Sequence, residues 1–137
     1  MHMLYQAHSG LRYLVLLAGL VALFAFSYGL ITRRPVRGAA GYTAAFTGLL
    51  DVQFVLGAGL FLGGIVYDAL MGHIAMMILA AVAANGAAIL APRAATERRE
   101  LAMRLAGVVI ALVCIVIGIM AIGRSVLGSA PATMPTI

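Results

Sequence analysis

The chain has 137 residues, 64% hydrophobic and 9% charged, with a mean hydropathy of +1.12. Soluble domains carry about 25% charged residues, so this composition excludes a water-soluble core and points to an integral membrane protein. The net charge of +5 comes from nine arginines and no lysine. They gather in two short loops, where chain orientation and anionic headgroups account for them, and nucleic-acid binding is not expected.

Met1 to Ser9 is short and polar. It lacks the basic start and small-residue cleavage site of a signal peptide, so the first apolar run is expected to remain as a helix. A spanning helix needs roughly 20 apolar residues, and the chain offers four such runs. Helix one is expected over 10–31, with no breaker in Leu4 to Ala7 to prevent an earlier start. It stops at Thr32-Arg33-Arg34-Pro35, because proline cannot continue a helix and disfavours it in the residue before. Helix two is expected over 42–66, helix three over 70–91 up to Pro92, and helix four over 101–123. Between the last two lies Arg93 to Glu100, with Thr96 as an N-cap and Glu97 and Glu100 at the favourable end of the helix dipole. The tail, 125–137, is rich in Pro, Ser and Thr and is expected to be loosely ordered.

The first loop holds Arg33, Arg34 and Arg37, and the third holds Arg93, Arg98 and Arg99. The second loop has neither Arg nor Lys. The positive-inside rule then puts both basic loops in the cytoplasm and both termini outside. Short connections make sequential helices antiparallel neighbours, and the expected fold is an all-α, up-down bundle of four transmembrane helices forming one domain. Glycines such as Gly59 and Gly63 allow close backbone approach.

Polar residues within spans are functional candidates because burying them is unfavourable. Here they are His8 and Arg12, Asp51 and Gln53, and His73 and Asn85. At 1.5 Å per residue, His73 lies about 5 Å inside the outer end of its helix, level with His8. Asp51 and Asn85 fall about 14 and 10 Å from the cytoplasmic end and share a lower level. His8, Arg12, Val15 and Gly19 lie on one helix stripe. So do Gln53, Gly57, Leu60 and Gly64, and His73, Met77, Ala80 and Ala84. Gly57 and Gly64 are expected to leave room beside His73. Three stripes of this kind suit a flat ligand near the outer surface.

Two neutral imidazoles on facing helices suggest b-type haem, with Arg12 beside a propionate and Met76 or Met77 as an alternative axial ligand. A quinone or a chlorophyll-type ring needs much the same residues, and shallow histidines also serve as interfacial or packing groups. Asp51 is expected to be neutral or hydrogen-bonded to Asn85 or Gln53. Cys114 stands alone in an apolar run and reads as a small packing residue. No constellation resembles a catalytic triad, and two histidines are too few for a zinc or copper pathway.

The segment His8-Ser9-Gly10-Leu11-Arg12-Tyr13-Leu14-Val15 resembles the opening of a family of small bacterial four-helix membrane proteins, described as cytochrome b-like or uncharacterised. Gln53 before Leu56-Gly57, and His73 with Met76, are similar to that family's patterns in helices two and three. The resemblance implies His8 and His73 as ligands of one haem b, with Arg12 as their polar partner. It also implies a bacterial inner-membrane location and a role in electron transfer or haem handling. The alternative expectation is a non-catalytic accessory or assembly subunit of a larger respiratory or photosynthetic complex, with other membrane subunits as partners.

Overall fold

The computed structural model describes residues 1–128. They form four helices and no strand: α1 His2–Thr32, α2 Ala39–Leu62, α3 Leu70–Leu90 and α4 Glu97–Ala121, with a 3₁₀ turn at Ala91–Arg93. All four are long and apolar enough to cross a membrane. α1 packs on α2, α2 on α3, α3 on α4 and α4 back on α1, which closes an up-down bundle. The start of α1 and the end of α4 meet the α2–α3 turn at one end of the bundle. The two arginine-bearing loops lie at the other.

Local chemistry sets the helix ends. α1 begins eight residues earlier than 10–31 implies, because nothing in Met3 to Ser9 breaks a helix and those turns have something to pack on. Leu4 lies against Gly59 and Met1 against Gly63. α1 closes at Arg33, a left-handed residue with φ 55, and the Arg34 N–H reaches back to the Gly29 carbonyl at 3.1 Å.

α2 stops at Leu62, not Val66. Gly64 takes φ 92, and the Ile65 and Gly64 N–H groups return to the carbonyls of Leu60 and Phe61 at 3.2 and 3.0 Å. This is a Schellman closure, which needs a residue that tolerates positive φ. α4 starts at Glu97, four residues before the expected 101. Thr96 caps it, its hydroxyl accepting from the Arg99 N–H at 3.2 Å. A second Schellman closure ends α4 at Ala121, with Gly123 at φ 69 and the Arg124 N–H on the Ile119 carbonyl at 3.3 Å. Of the tail expected to be loose, Ser125 to Gly128 form a turn. Residues 129–137 lie outside the described region.

The core is a column of Phe26, Phe46, Ala22, Ala80, Ala84 and Ala111, all at most 2% exposed. Small residues set the spacing between helices. Gly19 sits where a Cβ would stand 2.9 Å from the Phe46 ring and 2.7 Å from Leu112, so α1 approaches α2 and α4 closely there. Arg104 on α4 is buried near the basic end. It donates to Glu100 Oε1 at 2.7 and 3.0 Å, and to the Thr43 hydroxyl on α2 at 2.8 Å.

Candidate functional site

A cavity of about 300 Å³ opens at the chain-terminal end of the bundle, and a smaller one of about 50 Å³ continues inward from it. His8, Gln53, His73 and Met77 line both. Arg12 lines the inner cavity and Gly57 the outer one. The residues that the sequence offered as a ligand-binding set (His8, Arg12, Gln53, Gly57, His73 and Met77) are therefore gathered here, while Asp51 and Asn85 are not. The outer cavity opens between α2 and α3, past the exposed side chains of Phe54, Phe61 and Met71.

Both histidines are anchored through Nδ1. His8 Nδ1 donates to the Gln53 backbone carbonyl at 3.1 Å, and His73 Nδ1 donates to the Gly118 carbonyl at 2.9 Å. A backbone carbonyl has no proton to give, so each bond fixes the tautomer and leaves the lone pair on Nε2. Gln53 returns the contact to α1. Its amide donates to the His8 carbonyl at 2.8 Å and lies 3.4 Å from His8 Nε2. His8 is thus clamped on both ring nitrogens, and His73 on one.

The glycines explain how the rings fit. A Cβ at position 57 would stand 3.0 Å from His8 Cε1. Gly57 therefore makes room for His8, and not for His73 as the stripe alone implies. Gly64 serves the α2 closure and has open space around it. The glycine beside His73 is Gly118 on α4, where a Cβ would crowd Met77 Cε at 2.7 Å and Met76 Cβ at 3.0 Å and would touch His73 Nδ1 at 3.4 Å.

α4 is the element that sequence reasoning left out. The site has four walls instead of three: Gly118 supplies the carbonyl for His73, while Ile119, Ile122 and Arg124 line the cavity. Arg124 follows directly on the Schellman glycine, so its chain turns back toward α1, where it donates to the Tyr5 hydroxyl and lies 5.3 Å over the Tyr5 ring. The signal was the Ile122-Gly123-Arg124 stop itself. Tyr67, on the α2–α3 turn, also lines the outer cavity. Burial pushes its phenol above the ordinary value, so it remains an O–H donor at neutral pH.

Two polar atoms in the site lack partners. Arg12 is 7% exposed; its Nη2 donates to the Tyr13 hydroxyl at 2.8 Å, but its Nε is buried with no acceptor. Gln53 Oε1 is buried with no donor. The inner cavity is lined by two arginines and no acid, an arrangement that favours an anionic group.

The donor set fits haem on chemistry. It offers two imidazoles with lone pairs on Nε2, anchored Nδ1 atoms that orient the rings, and an orphaned guanidinium N–H for a propionate. The fit has two conditions. The Gln53 contact to His8 Nε2 must open for that nitrogen to bind iron. A porphyrin also exceeds the enclosed volume, so its edge must extend into the gap between α2 and α3. Among the described residues, no group of three or more His, Cys, Asp or Glu is placed to hold a metal ion by protein ligands alone.

Asp51 and Asn85 are joined to each other and stand apart from this site. Asn85 Nδ2 donates to Asp51 Oδ1 at 2.8 Å. Asp51 lies on the outer face of α2. Comparison with family models, with curated proteins and with solved structures found no match for this chain.

Proposed function

We propose that this is a small cytochrome b-like protein of the bacterial inner membrane. It binds one haem b between α1 and α3, near the end that carries both termini, and acts in electron transfer or haem handling. The four helices span the bilayer with the arginine loops in the cytoplasm and the termini outside. The positive-inside rule supports that orientation, since all the loop arginines share one end.

One observation carries the haem reading. Imidazoles from two different helices line one cavity, each with Nδ1 tied to a backbone carbonyl and Nε2 bearing the lone pair. Ligating histidines are typically anchored in this way. The unsatisfied Nε of Arg12 supports it independently, because a propionate supplies the missing acceptor. Haem iron, when bound, supplies a one-electron couple. The chain's own residues orient the ring, neutralise its carboxylates and limit water to the termini-side opening.

The test is a dithionite-reduced minus oxidised visible spectrum of protein purified in mild detergent after haem supplementation. A sharp α-band is expected, and loss of that band in His73→Ala with helicity intact. A flat spectrum from well-folded protein removes the haem reading. The second reading, an accessory or assembly subunit of a respiratory or photosynthetic complex, is favoured by the outward placement of Asp51.

A further inference from the structure

Asp51 is an ionisable residue at the middle of a spanning helix, about 18 Å from the Ala39 end and about 17 Å from the Leu62 end at 1.5 Å per residue. Intramembrane acids almost always face the bundle interior or a water-filled cavity. This one faces outward, at the seam where α2 meets α3. Its one hydrogen bond among the described residues is from the Asn85 amide, and a single amide N–H leaves most of a carboxylate's acceptor capacity unused.

The surroundings favour a helix as occupant. Ala44, Gly48, Asp51 and Val55 follow i, i+4, i+7 and i+11, and all four are exposed. A Cβ at Gly48 would meet nothing within 4 Å, so the face is flat and open beside the carboxyl. Small residues next to a polar group let another backbone come close enough to hydrogen-bond.

Charge decides which helix. The only ion pair among the described residues is Arg104 with Glu100. Arg12 and Arg104 are buried inside the bundle, Arg124 turns to the cavity, and the remaining arginines lie in or beside the basic loops. A second copy therefore brings no cation to this level, and a two-fold pairing would set carboxyl against carboxyl.

We propose that the α2–α3 seam docks a transmembrane helix of another protein, one that carries Lys or Arg at mid-depth and pairs it with Asp51. This rests on the membrane-spanning reading and not on haem. The test uses the full-length protein in phosphatidylcholine vesicles, with insertion checked by flotation. A designed Leu/Ala transmembrane peptide with a single central Arg is titrated against it by energy transfer, beside a twin peptide with Leu at that position.

The Arg peptide is expected to bind about tenfold or more tightly than its twin. That preference should vanish in Asp51→Asn, which keeps the shape and the Asn85 contact but removes the charge. Gly48→Leu should weaken both peptides. Equal binding of the two peptides by inserted protein overturns the inference, as does a preference that survives Asp51→Asn. Asp51-dependent self-association without peptide also overturns it, making the second copy the occupant. A chain that does not float with the vesicles overturns the spanning reading, and this inference with it.

Discussion

His73 on α3 and Gly118 on α4 are mutually dependent. The imidazole donates to the Gly118 carbonyl at 2.9 Å, and a Cβ at 118 would crowd Met77 Cε at 2.7 Å and Met76 Cβ at 3.0 Å while only touching His73 Nδ1 at 3.4 Å. Gly118→Ala must displace Met77 Cε, the far end of a flexible chain, and press on Met76, and is expected to destabilise by about 1–2 kcal/mol. Gly118→Leu has no such outlet and should push His73 off its carbonyl. The check is haem stoichiometry beside thermal stability in detergent. Leu at 118 should lower both, and Ala mainly the second.

The matched pair on α2 is Gly57 and Gly48. A Cβ at 57 meets His8 Cε1 at 3.0 Å, on a ring held at both nitrogens. A Cβ at 48 meets nothing. Gly48→Ala should be neutral or stabilising by up to about 1 kcal/mol, from helix propensity alone. Gly57→Ala should lose that gain to crowding and come out less stable than Gly48→Ala in the same thermal melt.

Much of this architecture is legible in the sequence. Apolar runs and arginine loops give the number and order of the helices, Pro35 and Pro92 give two of the breaks, and Thr96 gives the α4 cap. The shared level of Asp51 and Asn85 follows from counting rise. What does not follow is the rotation of each helix about its own axis. When every face is apolar, hydrophobicity cannot say which face turns inward, and small residues and specific hydrogen bonds decide it. That is why Gly57 serves His8 instead of His73, why α4 enters the site unannounced, and why Asp51 turns out while Gln53, two residues on, turns in. The α2 end was missed because Ile65 and Val66 continue the apolar run past the glycines that close the helix.

Arg104 and Glu100 should be the most sensitive charged pair in the bundle. Arg104 is 4% exposed and binds both Glu100 and Thr43. Arg104→Ala strands the Thr43 hydroxyl's partner site and leaves a cavity, with an expected loss of about 2–4 kcal/mol. Glu100 is 32% exposed on its side chain, so solvent hydrates the carboxylate that Arg104→Ala leaves behind. Glu100→Ala leaves the buried guanidinium without its carboxylate and is expected to cost about 3 kcal/mol or more. Reversible denaturant melts should find the two variants comparably destabilised, and a Glu100→Ala loss near about 1 kcal/mol would show that the inter-helix bond to Thr43, not the acid, anchors the arginine.

Gln53 separates a ligand role for His8 from a packing role. Its amide holds the His8 carbonyl at 2.8 Å and also lies 3.4 Å from Nε2, the nitrogen that iron would need. Gln53→Ala removes both contacts. It leaves the His8 Nδ1 bond in place, because that bond is to the backbone of residue 53. Stability is expected to fall by about 1–2 kcal/mol, from the lost buried hydrogen bonds and side-chain volume. Haem affinity is expected to hold or rise, because Nε2 no longer has a competing donor while the tautomer is still fixed. Parallel measurement of melting temperature and haem per protein reads the two effects separately. If haem content falls in step with stability, Gln53 acts as part of the cavity wall and His8 is not freed by its loss. If haem content holds while the melt drops, the 3.4 Å contact is a gate on His8.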